Sequence, residues 1–334
     1  MFTRRWSGLH PPSGRPRTAW LIPVTLGLAM PALLAACGTR TQVIAIDGSS
    51  TVFPLTAIAA EDFQLATPAV QVKVGASGTG GGFAKFCRGE TDANDASREI
   101  KPEEAEECAA NEVTYGRLTF ALDAITVVIN PANTWAQCLT VEQLKQIWEP
   151  NSTVRNWQDL DPAFPDVPLR LFGPGTDSGT FDYFTKEIVG EEGASRTDFT
   201  PSEDDNVIVQ GVKGTKGGLG YLGFTYYEQN ATVISDVSID NGDGCVEPTV
   251  ATAQDGSYAP LSRPLYVYPS VQALARPVVA DFFRFYVAND ESIAQAAAYV
   301  PLNEEQKRQL QTDLDALLAQ AEALRPSPSG ATSE

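Results

Sequence analysis

The sequence predicts an α/β fold in which mostly parallel sheets are covered by helices. Short apolar runs at 43–46, 70–74 and 168–172 each end in a Ser/Thr/Gly turn followed by a helix-like pattern. The spacing of these strands and helices is that of βαβ units. The chain has 334 residues, is 43% hydrophobic and carries 27 Gly and 23 Pro spread along its length, enough for the core of one or two domains.

The first 36 residues read as a targeting segment. They hold Arg4, Arg5, Arg15 and Arg17 and no acid, so their removal takes the net charge from −18 to −22. An apolar run at 20–34 follows, short for a spanning helix and broken by Pro23 and Pro31. Leu34-Ala35-Ala36-Cys37-Gly38 then matches the bacterial lipobox. Cleavage before Cys37 and lipid attachment to its sulfur are expected, with residues 37–42 as the tether; an uncleaved anchor is the alternative. So acidic a chain excludes nucleic acid and anionic membrane surfaces as partners. The membrane is met through the lipid alone. An anion drawn to this chain has to be held by local dipoles, not by overall charge.

Cys87, Cys108, Cys138 and Cys245 remain once Cys37 is set aside. Export to an oxidising space permits disulfides. Three pairings are open, and Cys87–Cys108 with Cys138–Cys245 is favoured because it keeps each bridge local to one proposed domain. CxxC is absent and the one histidine is His10, so neither a Cys/His metal site nor a cofactor is expected.

The elements follow in order. A strand at 43–46 leads to a helix at 53–66, with Pro54 in the first turn, where a missing N–H is harmless. A strand at 70–74 leads to a helix at 80–88, and an acidic helix follows at 102–110. The run TFALDAITVVI at 119–129 is either a core strand or one passing between domains. Thr140 and Gln143 form a capping box for a helix ending at Trp148. A strand at 168–172, a helix at 179–188 and a short helix at 204–211 follow. The segment 217–227 reads as a strand entered through a glycine-rich turn, and 240–244 as a hairpin tip. A late strand at 265–268 precedes helices at 278–287 and 304–324. The Pro/Ser/Gly-rich tail 326–334 is expected to be disordered.

The three turns carry the chemistry. A helix start offers N–H groups without internal partners and partial positive charge, which suits a small oxyanion. Gly48-Ser49-Ser50-Thr51 supplies the hydroxyls of Ser50 and Thr51. GASGTGGG (75–82) lets a ligand approach the backbone and adds Ser77 and Thr79, without the GxGxxG or Walker patterns of nucleotide sites. GPGTDSGT (173–180) adds Ser178, Gly179 and Thr180. Ordinary helix capping explains each turn taken singly. Together they lie at the carboxyl ends of strands, where open α/β sheets bind ligands. Arg98, read as following a helix, can fork two oxygens of one anion. The lack of a histidine beyond His10 leaves no Ser-His-Asp triad, and no S-x-x-K puts a lysine beside these turns. Asp240 and Asp243 lack the spacing of a calcium loop.

With these motifs in place, the chain resembles the phosphate-binding lipoproteins of bacterial ABC phosphate-uptake systems. The residues that carry this are IDGSSTVFPL (46–55), GASGTGGGFAKFCRGETDANDASREI (75–100), GPGTDSGTF (173–181), GGLGYLGFTYY (217–227) and PLSRPLYVYPS (260–270). The resemblance implies a two-lobed periplasmic-binding-protein fold of type II-like organisation. Each lobe is a mixed, mostly parallel sheet flanked by helices, and two crossing strands join them. Lobe I covers 43–125 plus 260–325 and lobe II covers 126–259. It implies a monomeric, non-enzymatic receptor that holds inorganic phosphate in the cleft and hands it to a membrane permease. The implied ligands are Ser50, Thr51, Thr79, Ser77, Ser178, Gly179 and Thr180, with an arginine. In one branch of the family an arginine precedes the third turn and an aspartate follows the small-residue run; Pro174 and Arg98 stand there in this chain. Asp177 is then the expected acceptor of the proton of monohydrogen phosphate, or the charge partner of Arg98. Sulfate, arsenate or molybdate binding and hydrolysis of phosphate esters are the rival functions.

Overall fold

The computed structural model describes residues 41–176 and 178–325. The targeting segment, Cys37, Asp177 and the 326–334 tail lie outside the described residues.

In chain order the elements begin with β1 (Gln42–Gly48), α1 (Phe53–Ala66), β2 (Val70–Val74), α2 (Thr79–Phe86), β3 (Ala93–Ala96), α3 (Pro102–Ala110) and β4 (Leu118–Ile129). Next come β5 (Cys138–Thr140), α4 (Val141–Trp148), α5 (Trp157–Leu160), β6 (Arg170–Gly173), α6 (Gly179–Phe184), β7 (Thr200–Pro201), α7 (Asp205–Gly214), β8 (Gly218–Gly223) and α8 (Phe224–Asn230). The chain ends with β9 (Ser235–Asp236), β10 (Ser238–Asp240), β11 (Cys245–Val246), α9 (Val250–Gln254), β12 (Ser262–Pro269), α10 (Val271–Leu274), α11 (Pro277–Ala288), α12 (Asp290–Ala296) and α13 (Glu304–Ala323).

Among the described residues, nine strands form one sheet in the order β2-β1-β3-β12-β4-β8-β6-β7, with β9 also on β4. The join is β4. Its first half pairs antiparallel with β12, from Leu118↔Val267 to Ala124↔Ser262. Its second half pairs antiparallel with β8, from Ile125↔Gly223 to Ile129↔Leu219. The apolar run is therefore the strand that passes between two lobes, and β12 returns beside it. Parallel pairs β1–β2, β1–β3 and β6–β8 flank the join on either side. All three Ser/Thr/Gly turns leave the carboxyl ends of such parallel strands.

Each lobe has its own core. Ile44, Leu55, Phe120, Leu265, Phe282 and Leu314 belong to the first. Ile125, Leu144, Trp148, Phe184, Leu219 and Tyr221 belong to the second. Phe224 and Ala253, from the 126–259 segment, are buried in the first core because α8 and α9 lie against β4. Cys87 is bonded to Cys108, joining the end of α2 to α3, and Cys138 is bonded to Cys245, joining β5 to β11. Among the described residues no helix is long and apolar enough to cross a membrane.

Three local expectations are corrected. β3 is a strand in Ala93-Asn94-Asp95-Ala96, whose four residues are all buried but carry no apolar run for a reading by hydrophobicity to detect. Arg98 thus follows a strand, not a helix. The 217–227 strand ends at Gly223 and the aromatic remainder is helix α8, since packing overrides the β preference of Phe224, Tyr226 and Tyr227. The 179–188 helix is α only to Phe184 and then widens into a π turn over Thr185–Val189. There the Thr185 hydroxyl donates back to the carbonyls of Phe181 and Asp182.

Candidate anion site in the interlobe cleft

The first turn is built by close packing. Gly48 has φ +142°, and a Cβ there would strike the carbonyl of Asp95. A Cβ on Gly82 would strike Gly48 and Asn94, so α2 lies directly against the first turn. Ser49 braces the turn into α1: its Oγ accepts from the Val52 N–H at 3.4 Å, and its carbonyl accepts from the Phe53 N–H at 3.0 Å. Ser50 and Thr51 were expected to offer their hydroxyls to an anion, with ordinary capping as the alternative. Both residues line the cleft.

The second turn is braced by Asp47. One carboxylate oxygen of Asp47 accepts from the Ser77 N–H (3.0 Å), the Ser77 hydroxyl (2.7 Å) and the Gly48 N–H (2.8 Å). The other pairs with Lys85 at 2.6 Å. Burial pushes the Asp47 carboxyl up, but the bonds from Lys85, Ser77 and Gly48 outweigh it and hold it at about 2. Ser77 is thus engaged in holding its own turn and does not line the cleft. Thr79 does line it, with its hydroxyl 3.2 Å from Ser97 Oγ and accepting from the Ser97 N–H.

Arg98 faces the same space. Its guanidinium donates to both oxygens of Glu104, at 2.8 and 2.7 Å, and to the Glu99 carbonyl at 3.0 Å. It lies 5.8 Å from the centre of the Phe83 ring. Among the described residues Glu104 is a carboxylate partner of Arg98; Asp177, the partner considered from the sequence, lies outside them. The helix α3 supplies Glu104, which also accepts from the Lys101 N–H at the start of that helix.

The third turn enters α6. The Ser178 hydroxyl accepts from the Thr180 N–H at 3.2 Å, so it acts as a helix cap. Gly179 faces the first turn: a Cβ there would lie 3.1 Å from Thr51 Oγ1. Gly179 lines the cleft, whereas Ser178 and Thr180 stand beside it in the first turn of α6.

The cleft encloses about 700 Å³. Among the described residues its walls carry Arg98, Lys101, Lys186 and Arg263 against Glu99, Asp182, Glu187 and Glu192, within a strongly acidic chain. Burial, then the nearby Glu192, raise the Asp182 carboxyl, while Arg263 opposes them.

Arg263 was not singled out from the sequence. Its Nε and Nη2 donate to one oxygen of Asp123 at 3.2 and 3.1 Å, and Nη2 also donates to Thr51 Oγ1 at 3.3 Å. The guanidinium lies 3.7 Å from the centre of the Tyr183 ring. One signal was available: an arginine at the start of the largely apolar crossing strand Ser262–Pro269.

Residues 35–290 match the model of a PBP superfamily domain. The chain belongs to the PBP superfamily. A curated member from Synechocystis sp., protein SphX, is 48% identical over 277 residues, covering 81% of this chain and 82% of that one. The phosphate-binding protein PstS of Staphylococcus saprophyticus is 35% identical, covering 90% of this chain and 95% of that one. The crystal structure of a possible phosphate-binding protein from Planctomyces limnophilus is similar at TM-score 0.79 and 44% identity, over 83% of this chain and 99% of that one. The two lobes and the strands crossing between them are thus the superfamily fold.

Proposed function

We propose that this chain is an extracytoplasmic solute-binding lipoprotein that captures inorganic phosphate and delivers it to an ABC permease. One observation carries the reading: Ser50, Thr51, Thr79 and Gly179, from three separate turns, open on one cleft together with Arg98. The names of the similar proteins, phosphate-binding in two of the three, support the choice of anion. Because the chain is strongly acidic overall, turn N–H groups, hydroxyls and the Arg98 fork hold the ligand, not the field of the whole protein.

Capture works by closure. Phosphate meets the turns of lobe I (43–125 plus 260–325), and lobe II (126–259) brings Ser178, Gly179 and Thr180 over it by bending at β4 and β12. Only contacts made to both lobes at once favour the closed state. With Arg98 engaged by Glu104, Asp177 takes the role of proton acceptor, which distinguishes monohydrogen phosphate from sulfate. Cys37 carries the lipid that tethers a monomer to the outer face of the membrane. The receptor is not an enzyme in this reading.

Titration calorimetry with phosphate, sulfate, arsenate and molybdate tests the reading. Heat with phosphate and none with sulfate supports it, and the reverse order overturns it. Asp177→Asn is expected to narrow the gap between phosphate and sulfate; an unchanged gap removes Asp177 from that role. Release of a chromophore from a phosphate ester marks the hydrolase instead.

A further inference from the structure

Arg263 joins elements of both lobes. It stands on the crossing strand β12. It pairs with Asp123 on the other crossing strand, donates to the hydroxyl of Thr51 in the first turn, and stacks on Tyr183 of α6 in the opposite lobe. Tyr183 in turn donates to the carbonyl of Pro260, at the entry to β12, at 2.8 Å. The carbonyl of Thr51 accepts from the Tyr299 hydroxyl at 2.7 Å. Thr51 is thus fixed by Arg263 on one side and by Tyr299 on the other, with Gly179 of the second lobe facing it.

We propose that Arg263 is a positioning residue that couples the two lobes: its guanidinium holds the Thr51 hydroxyl in register with the start of α6. It acts through Thr51 and not as a ligand of its own. The geometry favours this role because Nε and one arm of the fork are directed at Asp123 and Thr51, and the face is covered by Tyr183. A planar guanidinium can pair edge-on and stack face-on at once, which an ammonium cannot. The affinity arm of the test below rests on the phosphate reading; the exchange arm does not.

The experiment is a double-mutant cycle on the folded protein, with Arg263→Lys, Thr51→Val and the pair, each titrated with inorganic phosphate. Arg263→Lys alone is expected to weaken phosphate about tenfold or more, within the usual range of coupling between sites. The double variant is expected to bind no more weakly than Thr51→Val alone. Losses that multiply instead overturn the proposal, since they make Arg263 act independently of Thr51. The second arm is amide hydrogen exchange on ligand-free protein. Arg263→Lys is expected to speed exchange both around residues 50–56 and around 178–184; a response confined to one segment, or none, overturns it. If wild-type protein fails to bind phosphate, the proposed function falls and the exchange arm alone decides the coupling. Should Arg263→Lys fail to fold, Tyr183→Leu removes the stack and is read by both arms with the same expectations.

Discussion

Arg98 and Arg263 line the same cleft and are held in opposite ways. Arg98 is gripped within its own lobe by Glu104, six residues away in sequence, and its side chain is 34% exposed. Arg263, on one crossing strand, is gripped from the other, from the first turn and from the opposite lobe, and Asp123, its partner, is 140 residues away and 9% exposed. The first arrangement is a local pair that can be rearranged cheaply. The second ties elements of both lobes together, and breaking it strands a buried carboxylate. The contrast extends to the acids behind the cleft. Asp123 has a cation; among the described residues the fully buried Asp95 has the Thr56 hydroxyl alone, at 2.8 Å. Burial raises both, and only Asp123 has a cation opposing the rise.

The largest expected effect comes from breaking the tertiary grip. Arg263→Ala leaves Asp123 buried and unpaired, and is expected to lower unfolding stability by about 3 kcal/mol. The folded Asp123 carboxyl, already raised, then rises further. The loss is therefore greatest above that raised value and shrinks as pH falls and Asp123 takes up a proton. Urea unfolding at several pH values checks this; a loss that is small or independent of pH would put the two arginines on the same footing.

Arg98→Ala is expected to weaken phosphate by roughly 10–100-fold, the worth of charge-assisted hydrogen bonds, while changing the melting temperature little. Calorimetry and thermal melts on the same sample separate the two quantities. Normal binding would remove Arg98 from the site.

Asp95→Asn probes the carboxyl without a cation. The folded Asp95 titrates at about 8, against 3.8 ordinarily. Between those values the folded chain keeps a proton that the unfolded chain has lost, so stability falls as pH rises, by up to about 1.4 kcal/mol per unit. The asparagine variant is expected to gain on wild type between about pH 5 and about pH 8. Parallel curves would place the Asp95 carboxyl in the ordinary range.

The smallest effect belongs to the local grip. Glu104→Gln keeps the shape of the fork and removes its charge. Phosphate affinity is expected to change only a few-fold, since the lost restraint on Arg98 and the lost competition of a carboxylate oppose each other. A hundredfold loss in the same calorimetric titration would show that Arg98 needs Glu104 as Arg263 needs Asp123.

Much of this was legible in the sequence because its causes are local. Glycines and hydroxyls after apolar runs mark the turns, Pro54 marks the start of α1, and Thr140 with Gln143 marks α4. β3 was missed because four buried residues without a hydrophobic pattern become a strand only when β1 and β12 pair with them. Ser77 was read as facing the ligand because a hydroxyl in a glycine turn does not reveal that Asp47, 30 residues earlier, takes it. Arg263 was passed over because its partners Asp123, Thr51 and Tyr183 are scattered along the chain.

By itself the sequence determined the α/β class, the three helix starts that face one cleft, and Arg98 as a cation there. These rest on short-range preferences of backbone and side chain, which a single chain displays directly. Tertiary structure alone decided how those parts are held: that Asp47 takes Ser77, that Glu104 grips Arg98, and that Arg263 spans both lobes. Such roles depend on pairings between strands distant in sequence, and a pairing has no physical expression until the chain has folded.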